Sequence, residues 1–354
     1  MSRRSHDTDI APQLNAFFAL LRSGFYERPL SDDELALAAS LSAADWMALI
    51  RLARKQAVPG LIYQAFTLLP REIPVPGDAV LALMARSEEI AYRNRIKAAV
   101  TSQLMARFAE KGLTPLVMKG ATVAAFYRRP ELRESGDIDF YFPPEQLKTA
   151  AACLTAPQPD PEGSVHGKES GVDIDLHDRY FDLHCPARVL PEPDTPEATL
   201  LMLSAHILKH AIGTGVGVRQ LCDMAAAYQA LKGNVDSAKL RTIFRRTGTL
   251  RWNRLLFSFL TDRLGMEDSL FANGGLFAGE RVSAAPLLQI ILEGGNFGHY
   301  AAARQLALGA GARLRKRDTL RRFLRRLPFS LRYAPRETFA RIWNLIRGNL
   351  QRTI

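Results

Sequence analysis

Apolar residues recur at intervals of three and four over residues 10–68, with polar residues between them. This period predicts amphipathic helices. Ser31 and Glu34 have the spacing of a capping box, which predicts a helix start at that point. Prolines between 70 and 76 interrupt the pattern. Beyond them the helical period resumes and predicts one long helix over about 77–111, with Gly112 in the stop position.

The pattern changes to alternation after residue 112 and returns to the helical period after residue 196. The prolines at 143 and 144 suit the first turn of a helix, and the Pro- and Gly-rich stretch 156–163 reads as a linker. The predicted elements between these points are a strand at 113–118, a short helix ending near 127, a strand at 137–142, a helix from 143, and hairpin-like strands around 164–167 and 171–177.

These elements predict an α+β protein with a small mixed-sheet core flanked by N-terminal and C-terminal helical regions. At 354 residues with 47% hydrophobic content, the chain can hold several modest domains. We expect four segments: an N-terminal helical region at 1–90, the sheet-containing core at 91–190, a helical domain at 191–310, and a basic amphipathic helical tail at 311–354.

Composition indicates a protein of a reducing compartment. The three cysteines, Cys153, Cys185 and Cys222, are odd in number and scattered, which argues against a disulfide framework. The N-terminus is polar, and no stretch approaches the roughly 18 apolar residues that span a bilayer. We therefore expect a cytoplasmic protein, with peripheral contact to a membrane as the open alternative.

The net charge of +11 belongs to the C-terminal tail. Residues 311–354 hold 13 Lys and Arg and two acids, whereas the rest of the chain holds 34 basic and 34 acidic side chains. Apolar residues at 320, 323, 324 and 327 form one helical stripe among these arginines. The stripe is typical of a helix that rests on anionic lipid or on a protein partner. A helix packed on the body with a solvated basic face remains the alternative, and nucleic acid is not expected because no aromatic interleaving accompanies the charge.

The candidate chemistry lies in acidic residues of the alternating strands. Asp137 and Asp139 are spaced to share one face of a strand, and Asp173 and Asp175 share a face of another. Carboxylates held this close repel each other, so they share a proton or a hard cation. Three carboxylates on neighbouring strands suit the metal ions of phosphoryl transfer.

Residues 115–142 contain Lys119-Gly120, then Tyr127, Pro130 and Arg133 before Asp137-Ile138-Asp139. With Asp175-Leu176-His177 and the helical stretch 203–223, this stretch resembles the bacterial nucleotidyltransferase-like family of the polymerase β-type superfamily. The resemblance spans about 115–230. It implies a polymerase β-like core that uses Mg²⁺ (or Mn²⁺) to move a nucleoside monophosphate from a nucleoside triphosphate to a hydroxyl or phosphate acceptor. The acceptor would be a glycan, a peptide natural product or a small molecule.

The resemblance also assigns roles. Asp137 and Asp139 would bridge the ions, and Asp175, favoured over Asp173, would hold the ion at the acceptor or act as base. Triphosphate contacts fall to Lys119, Gly120, Arg133, Ser135 and Gly136. Residues expected near the cleft are His177, His206, Arg219 and Asp223. Many superfamily members have Gly-Ser where this chain has Lys119-Gly120, so the lysine would replace a serine contact by a point charge.

Two rivals to nucleotidyl transfer stay open from the sequence. One is a non-catalytic nucleotide-binding or assembly protein that keeps the fold and docks through its basic tail. The other is a kinase-like phosphotransferase that uses the same site on the γ-phosphoryl group. We further expect the tail at 311–354 to be dispensable for turnover, since it lies far along the chain from the candidate acids.

Overall fold

The computed structural model describes residues 12–160, 163–184, 190–267, 276–277, 279–296 and 312–351, with side chains in the last range described for 321–344. The described part of the chain contains a five-stranded mixed sheet, with helices before and after it along the sequence. This is an α+β fold, as predicted. Cys153 and Cys222 are buried free thiols, and Cys185 lies outside the described residues.

Four helices lie in the described part of residues 10–68, as the apolar period predicted. They are α1 (Pro12–Tyr26), α2 (Asp32–Ala39), α3 (Ala43–Lys55) and α4 (Pro59–Thr67). The capping box at the start of α2 is confirmed, because Ser31 Oγ accepts from the Glu34 amide and Glu34 accepts from the Ser31 amide. No single described helix is long and apolar enough to cross a membrane; α2 and α3 pass that test only jointly, across a bend of 112°.

The long predicted helix is α5 (Gly77–Glu110), and Gly112 follows it with φ of +70°. That left-handed conformation suits glycine and ends the helix. The C-terminal half of α5 packs on the sheet, where Phe108 contacts Phe140 and Phe142 edge-to-face at 5.3 and 5.0 Å.

The sheet has the strand order β1-β2-β5-β4-β3. Its strands are β1 (Leu116–Met118), β2 (Ile138–Tyr141), β3 (Gln158–Pro159), β4 (Val165–Glu169) and β5 (Val172–His177). The central pair β2 and β5 is parallel, and the other pairs are antiparallel. The two-residue β3 lies in the stretch that the sequence assigned to a linker. The short helices α6 (Gly120–Ala124) and α7 (Pro144–Ala151) and a 3-10 turn (Pro130–Leu132) connect the first strands.

Alternation along β2 and β5 separates an apolar from a polar face of the sheet. Phe140 and Ile174 point into a core shared with α5 and are fully buried. Asp139 and Asp175 point to the other face and stand opposite each other in the parallel register. The hydrophobic pattern therefore places the acids together, because a shift by one residue would bury them in the core.

The remaining helices follow the sheet. They are α8 (Pro196–Ile212), α9 (Val218–Leu231), α10 (Ser237–Arg246), α11 (Leu250–Leu264), α12 (Ala285–Gly294), α13 (Ala312–Tyr333) and α14 (Pro335–Gln351). One continuous hydrophobic core joins α8–α12 to α1–α4, with Trp46 and Trp252 both fully buried in it. The segments expected at 1–90 and 191–310 thus share a core, while the sheet and α5 form a second one.

The C-terminal tail is packed in part on the body. Arg326 is buried and donates to the carbonyl oxygens of Ala211 and Gly213 at 3.0 Å each. Tyr333 is also buried, and Phe329 lies edge-to-face on Trp252 at 6.4 Å. Of the predicted stripe, Leu324 is exposed and Phe323 and Leu327 are half-buried, and the side chain of Leu320 lies outside the described residues.

Gly24 allows α1 and α4 to approach closely, because a Cβ atom there would overlap the carbonyl oxygen of Leu61. We expect Gly24→Ala to lower the free energy of unfolding by about 1–3 kcal/mol or more, since backbone must move to relieve the overlap. Gly77→Ala is the matched control: it has open space around its Cβ position and begins α5. Urea denaturation of both variants measures the difference, and equal stabilities would contradict the packing argument.

Candidate active site

A cleft of about 440 Å³ lies between the polar face of the sheet and helices α8 and α9. This volume is within the range of small-molecule sites, which are concave and carry a few convergent polar groups. All site residues expected from the sequence line the cleft except Ser135: Lys119, Gly120, Arg133, Gly136, Asp137, Asp139, Asp175, His177, His206, Arg219 and Asp223.

The centre of the cleft holds a group of three potential metal ligands, Asp139, Asp175 and His177. Asp139 and Asp175 are register partners on β2 and β5, and His177 follows Asp175 on the same face of its strand. One ligand atom from each lies within 4.8 Å of the others. Two carboxylates and an imidazole at this spacing could hold a divalent cation.

Asp173 does not join this group. It lies on the same strand, but its side chain is exposed and pairs with Lys168 at 3.3 Å on the outer part of the hairpin. The register of β5 against β2 places Asp175, rather than Asp173, opposite Asp139.

Lys119 is the counter-ion of Asp139. Its Nζ donates to Asp139 Oδ1 at 2.8 Å and lies 3.4 Å from His177 Nε2. Burial would lower the pKa of Lys119, but the carboxylates of Asp139, Asp182 and Asp137 outweigh it and raise that pKa. Burial likewise would raise the pKa of Asp139, but Lys119 and His177 hold it well below the usual range. The backbone of Lys119 has φ of +49°, a conformation that costs a non-glycine residue energy and is common at functional sites.

A second set of hydrogen bonds orients the ligands from behind, and the sequence did not indicate it. His166 on β4 lies 2.6 Å from Asp175 Oδ1 through Nδ1 and 3.1 Å from Asp160 Oδ2 through Nε2. Its hydrogen bond to Asp175 raises its pKa. Ser164 Oγ lies 3.1 Å from Nδ1 of His177. The pairing of His166 with Asp175 across β4 and β5 is the feature that could have indicated this contact, because directly paired residues of antiparallel strands share a face.

Asp137 lies just before β2 rather than within it. Its side chain is open to the cleft that Asp139 also lines, and it is not one of the three grouped ligands Asp139, Asp175 and His177. Desolvation by the surrounding protein, together with the negative charges of Asp139 and Asp175, raises the pKa of the Asp137 carboxyl group. The role of Asp137 as a metal ligand stays a prediction.

The loop that leads into β2 is held by the polar face of α5. Lys97 Nζ donates to the carbonyl oxygen of Ser135 at 2.5 Å and to its Oγ at 2.9 Å, and that hydroxyl donates to Asn94. Asn94 in turn donates to the carbonyl oxygen of Arg133 at 2.9 Å. The hydroxyl of Ser135 is therefore hydrogen-bonded to side chains of α5, which explains why Ser135 does not line the cleft.

A buried ion pair ties the same loop to α9. Arg133 forms a two-point contact with Asp223, with Nε to Oδ1 and Nη2 to Oδ2 both at 2.7 Å. Tyr127 donates its hydroxyl to Asp223 Oδ1 at 2.6 Å. Burial would raise the pKa of Asp223, but Arg133 lowers it. The sequence placed Arg133 on phosphate and Asp223 in the cleft, and the structure joins them to each other.

Three basic side chains, those of Arg133, Arg219 and Lys97, lie near one another at this ion pair. Arg219 is buried and donates to the carbonyl oxygen of Glu134 at 2.9 Å; burial and the nearby Arg133 lower its pKa. The pKa of Lys97 is lowered to about 8, mainly by burial. The negative charge of Asp137 opposes this shift, and the positive charges of Arg219 and Arg133 add to it. Arg133 Nη1 lacks a hydrogen-bond partner among the described residues and would be 3.7 Å from a Cβ atom at Gly120. The buried N–H groups of Arg133 Nη1 favour a hydrogen-bond acceptor at this point of the cleft.

The opposite wall is built by α8. Asp182 lies 2.9 Å from His206 Nδ1 and accepts from Lys209 Nζ at 2.9 Å. His206 and His210 lie on one face of the helix, with ring centroids 4.5 Å apart. Burial, together with the charges of His206 and Lys209, lowers the pKa of His210 to about 2, so this ring is neutral.

A sequence model of a family described as uncharacterised nucleotidyltransferases matches residues 42–265. The matched region begins near the start of α3, ends near the end of α11 and contains every cleft residue described above. Comparisons with curated proteins and with solved structures gave no match.

We expect Asp223→Ala to destabilise the protein by about 3–5 kcal/mol, because it leaves the buried Arg133 guanidinium without its carboxylate. Asp173→Ala, which removes an exposed carboxylate paired at 3.3 Å with Lys168, should change stability by no more than about 1 kcal/mol. Urea denaturation of both variants measures these values. A loss at Asp223 as small as that at Asp173 would show that the ion pair does not hold the loop on α9.

Proposed function

The chain belongs to this family of nucleotidyltransferases, and on that premise we propose a metal-dependent reaction. The protein would transfer a nucleoside monophosphate from a nucleoside triphosphate to a hydroxyl or phosphate acceptor. The observation that carries this proposal is the convergence of Asp139, Asp175 and His177, with ligand atoms within 4.8 Å, in a cleft that also holds buried cations.

The donor set fits a divalent ion. Asp139 and Asp175 provide the oxygen ligands that Mg²⁺ and Mn²⁺ prefer, and His177 adds a nitrogen that Mn²⁺ also accepts. When bound, such an ion neutralises phosphate charge and orients the attacking and leaving oxygens. We keep Asp137 as a further ligand in this proposal, since it lies at the same end of β2 and its charge interacts with both acids.

Phosphate groups of the nucleotide would lie at the floor of the cleft. The five-residue helix α6 is too short for its dipole to supply the attraction, so side-chain charge must carry it. Lys119 precedes Gly120 and Nη1 of Arg133 lies near it, and the missing side chain of Gly120 leaves room for an oxygen. The amide groups of Gly120 and Gly136 would add donors, whereas Ser135 would act by holding the loop.

Proton transfer is assigned to Asp175. This carboxylate would accept the proton of the acceptor hydroxyl, or hold the ion that makes the hydroxyl more acidic. His166 and Asp160 would orient it from behind, at 2.6 and 3.1 Å along the chain of hydrogen bonds. Wall residues His206 and Arg219 are proposed to contact the base, the ribose or the acceptor.

The order of elements supports a polymerase β-like core. A strand leads through Lys119-Gly120 into a short helix, a strand with Asp139 follows, and after α7 a parallel neighbour strand supplies Asp175. We propose that this unit works with α8 and α9 as the opposite wall of the cleft.

One observation favours a second candidate, a nucleotide-binding protein without turnover. Lys119 occupies Asp139 with a strong ion pair, at the position where many superfamily members have a Gly-Ser turn. Product analysis separates the candidates: pyrophosphate indicates nucleotidyl transfer, a nucleoside diphosphate indicates the kinase-like reaction, and neither product indicates binding alone.

The proposal predicts that Mg²⁺ and ATP bind cooperatively. In the free site the carboxylates repel each other, and the ion relieves that repulsion while attracting phosphate. Calorimetric titration of ATP should show about tenfold or more tighter binding with the ion than without it. Asp139→Asn and Asp175→Asn should each reduce turnover by about 100-fold or more, since several kcal/mol of transition-state stabilisation depend on the ion. Equal ATP affinity in both conditions, together with full activity of the variants, would refute the proposal.

Lys119→Ala should change two affinities in opposite directions. Loss of the ammonium frees Asp139 for a cation, so the nucleotide-free protein should bind Mn²⁺ more tightly. The same loss removes a charged hydrogen bond to phosphate, so ATP should bind about 10- to 100-fold more weakly. Lys168→Ala, which removes the lysine of an exposed pair, is the control and should change neither affinity. A variant that binds both ligands more weakly and melts at lower temperature would instead assign Lys119 a structural role.

A further inference from the structure

The exposed apolar side chains of the protein are concentrated at its C-terminal end. Of eight large hydrophobic side chains that are exposed in the described part of the chain, four lie between residues 324 and 343. Phe339 and Trp343 are four residues apart on one face of α14 and are 63% and 54% exposed. Leu324 and Leu331 are seven residues apart on one face of α13 and are 55% and 36% exposed. Exposed apolar groups that gather in one region of a surface mark interaction sites.

The exposed charged side chains within residues 321–344 are all basic. Residues 321–344 contain seven arginines and a single acid, Glu337. That acid is buried and accepts from the amide of His184 at 2.7 Å, so it does not reach the surface. Arg321, Arg332 and Arg336 are exposed. The described surface of this segment therefore presents arginine and apolar groups with no exposed carboxylate.

The two helices hold this surface in place. Arg326 is buried against the end of α8, and the ring of Phe329 lies on Trp252. Tyr333 and Thr338 are also buried. The apolar and basic groups thus stand on a helix pair anchored to the body, and binding need not fold the segment.

We propose that this C-terminal face, formed by Leu324, Leu331, Phe339, Trp343 and the exposed arginines at 321–336, docks on an anionic lipid membrane. Helices that lie in a membrane interface place Trp, Phe and Leu among the acyl chains and arginine among the anionic headgroups. A nucleic acid would pair with the arginines through its phosphates but leave the apolar groups in water. The membrane is the partner that satisfies both parts of the surface at once.

Trp343 provides an intrinsic probe of this contact. The chain has three tryptophans, of which Trp46 and Trp252 are fully buried and Trp343 is exposed. Transfer of Trp343 into lipid should shift the emission of the full-length protein to shorter wavelength, whereas the buried rings should not respond. The full-length protein should also co-sediment with vesicles of phosphatidylcholine and phosphatidylglycerol, and much less with phosphatidylcholine alone. Added salt should weaken the binding in part, since it screens the arginines but not the apolar contact.

The decisive variant is Phe339→Ser with Trp343→Ser, which should reduce binding to the anionic vesicles by about tenfold or more. Leu81→Ser with Tyr92→Ser is the matched control, because both side chains are about equally exposed on α5, and it should bind as the wild type does. Melting curves establish that both variants are folded. The proposal is overturned if the wild type does not sediment with anionic vesicles, if it does so without a change in Trp343 emission, or if both variants lose binding equally. Tight binding to an oligonucleotide without binding to vesicles would assign the face to nucleic acid instead.

Discussion

The parallel pairing of β2 and β5 sets the central constraint on this protein. It places the carboxylates of Asp139 and Asp175 opposite each other on one face of the sheet, where their charges repel. Neutralisation comes from residues around them: Lys119 and His177 contact Asp139, and His166 contacts Asp175. The strained turn at Lys119 and the hydrogen bonds of the β4–β5 hairpin both serve this arrangement. Under the proposed function, a metal ion would take the place of this ammonium at Asp139, and the ammonium would become available to phosphate.

A second ionic contact links the sheet to the helices. Arg133 belongs to the loop before β2, and Asp223 belongs to α9, yet the two are joined at 2.7 Å inside the protein. Buried ion pairs contribute little net stability but are costly to break, so they fix one relative position of the elements that carry them. Here they fix the loop that carries Asp137 against the wall that carries Arg219.

Local patterns predicted the parts of this structure that depend on neighbouring residues. The period of the apolar residues predicted the helices and the end of α5 at Gly112. The alternation along β2 and β5 predicted that Asp139 and Asp175 lie close together, because each strand has one buried face. The pairing of Arg133 with Asp223 joins residues 90 positions apart, and nothing in the spacing of either residue indicates it. His166 was missed because its position depends on the register of a hairpin, and β3 because two residues in a proline-containing linker carry no period. The shared core of the first and third segments was missed for the same reason, since each helix shows an apolar face but not its partner.

The tail shows why a local pattern is insufficient to separate a docking surface from a structural helix. The expectation that residues 311–354 are dispensable treated them as an appendage, but Arg326 binds the carbonyl end of α8. Those carbonyls carry the negative end of the helix dipole and need donors, so a buried guanidinium there stabilises the helix. Helix α8 also carries His206 and His210 on the wall of the cleft. Deleting the tail would therefore disturb the cleft whether or not the tail docks on anything. Only substitutions on the exposed face, such as at Phe339 and Trp343, can separate attachment to a partner from the geometry of the active site.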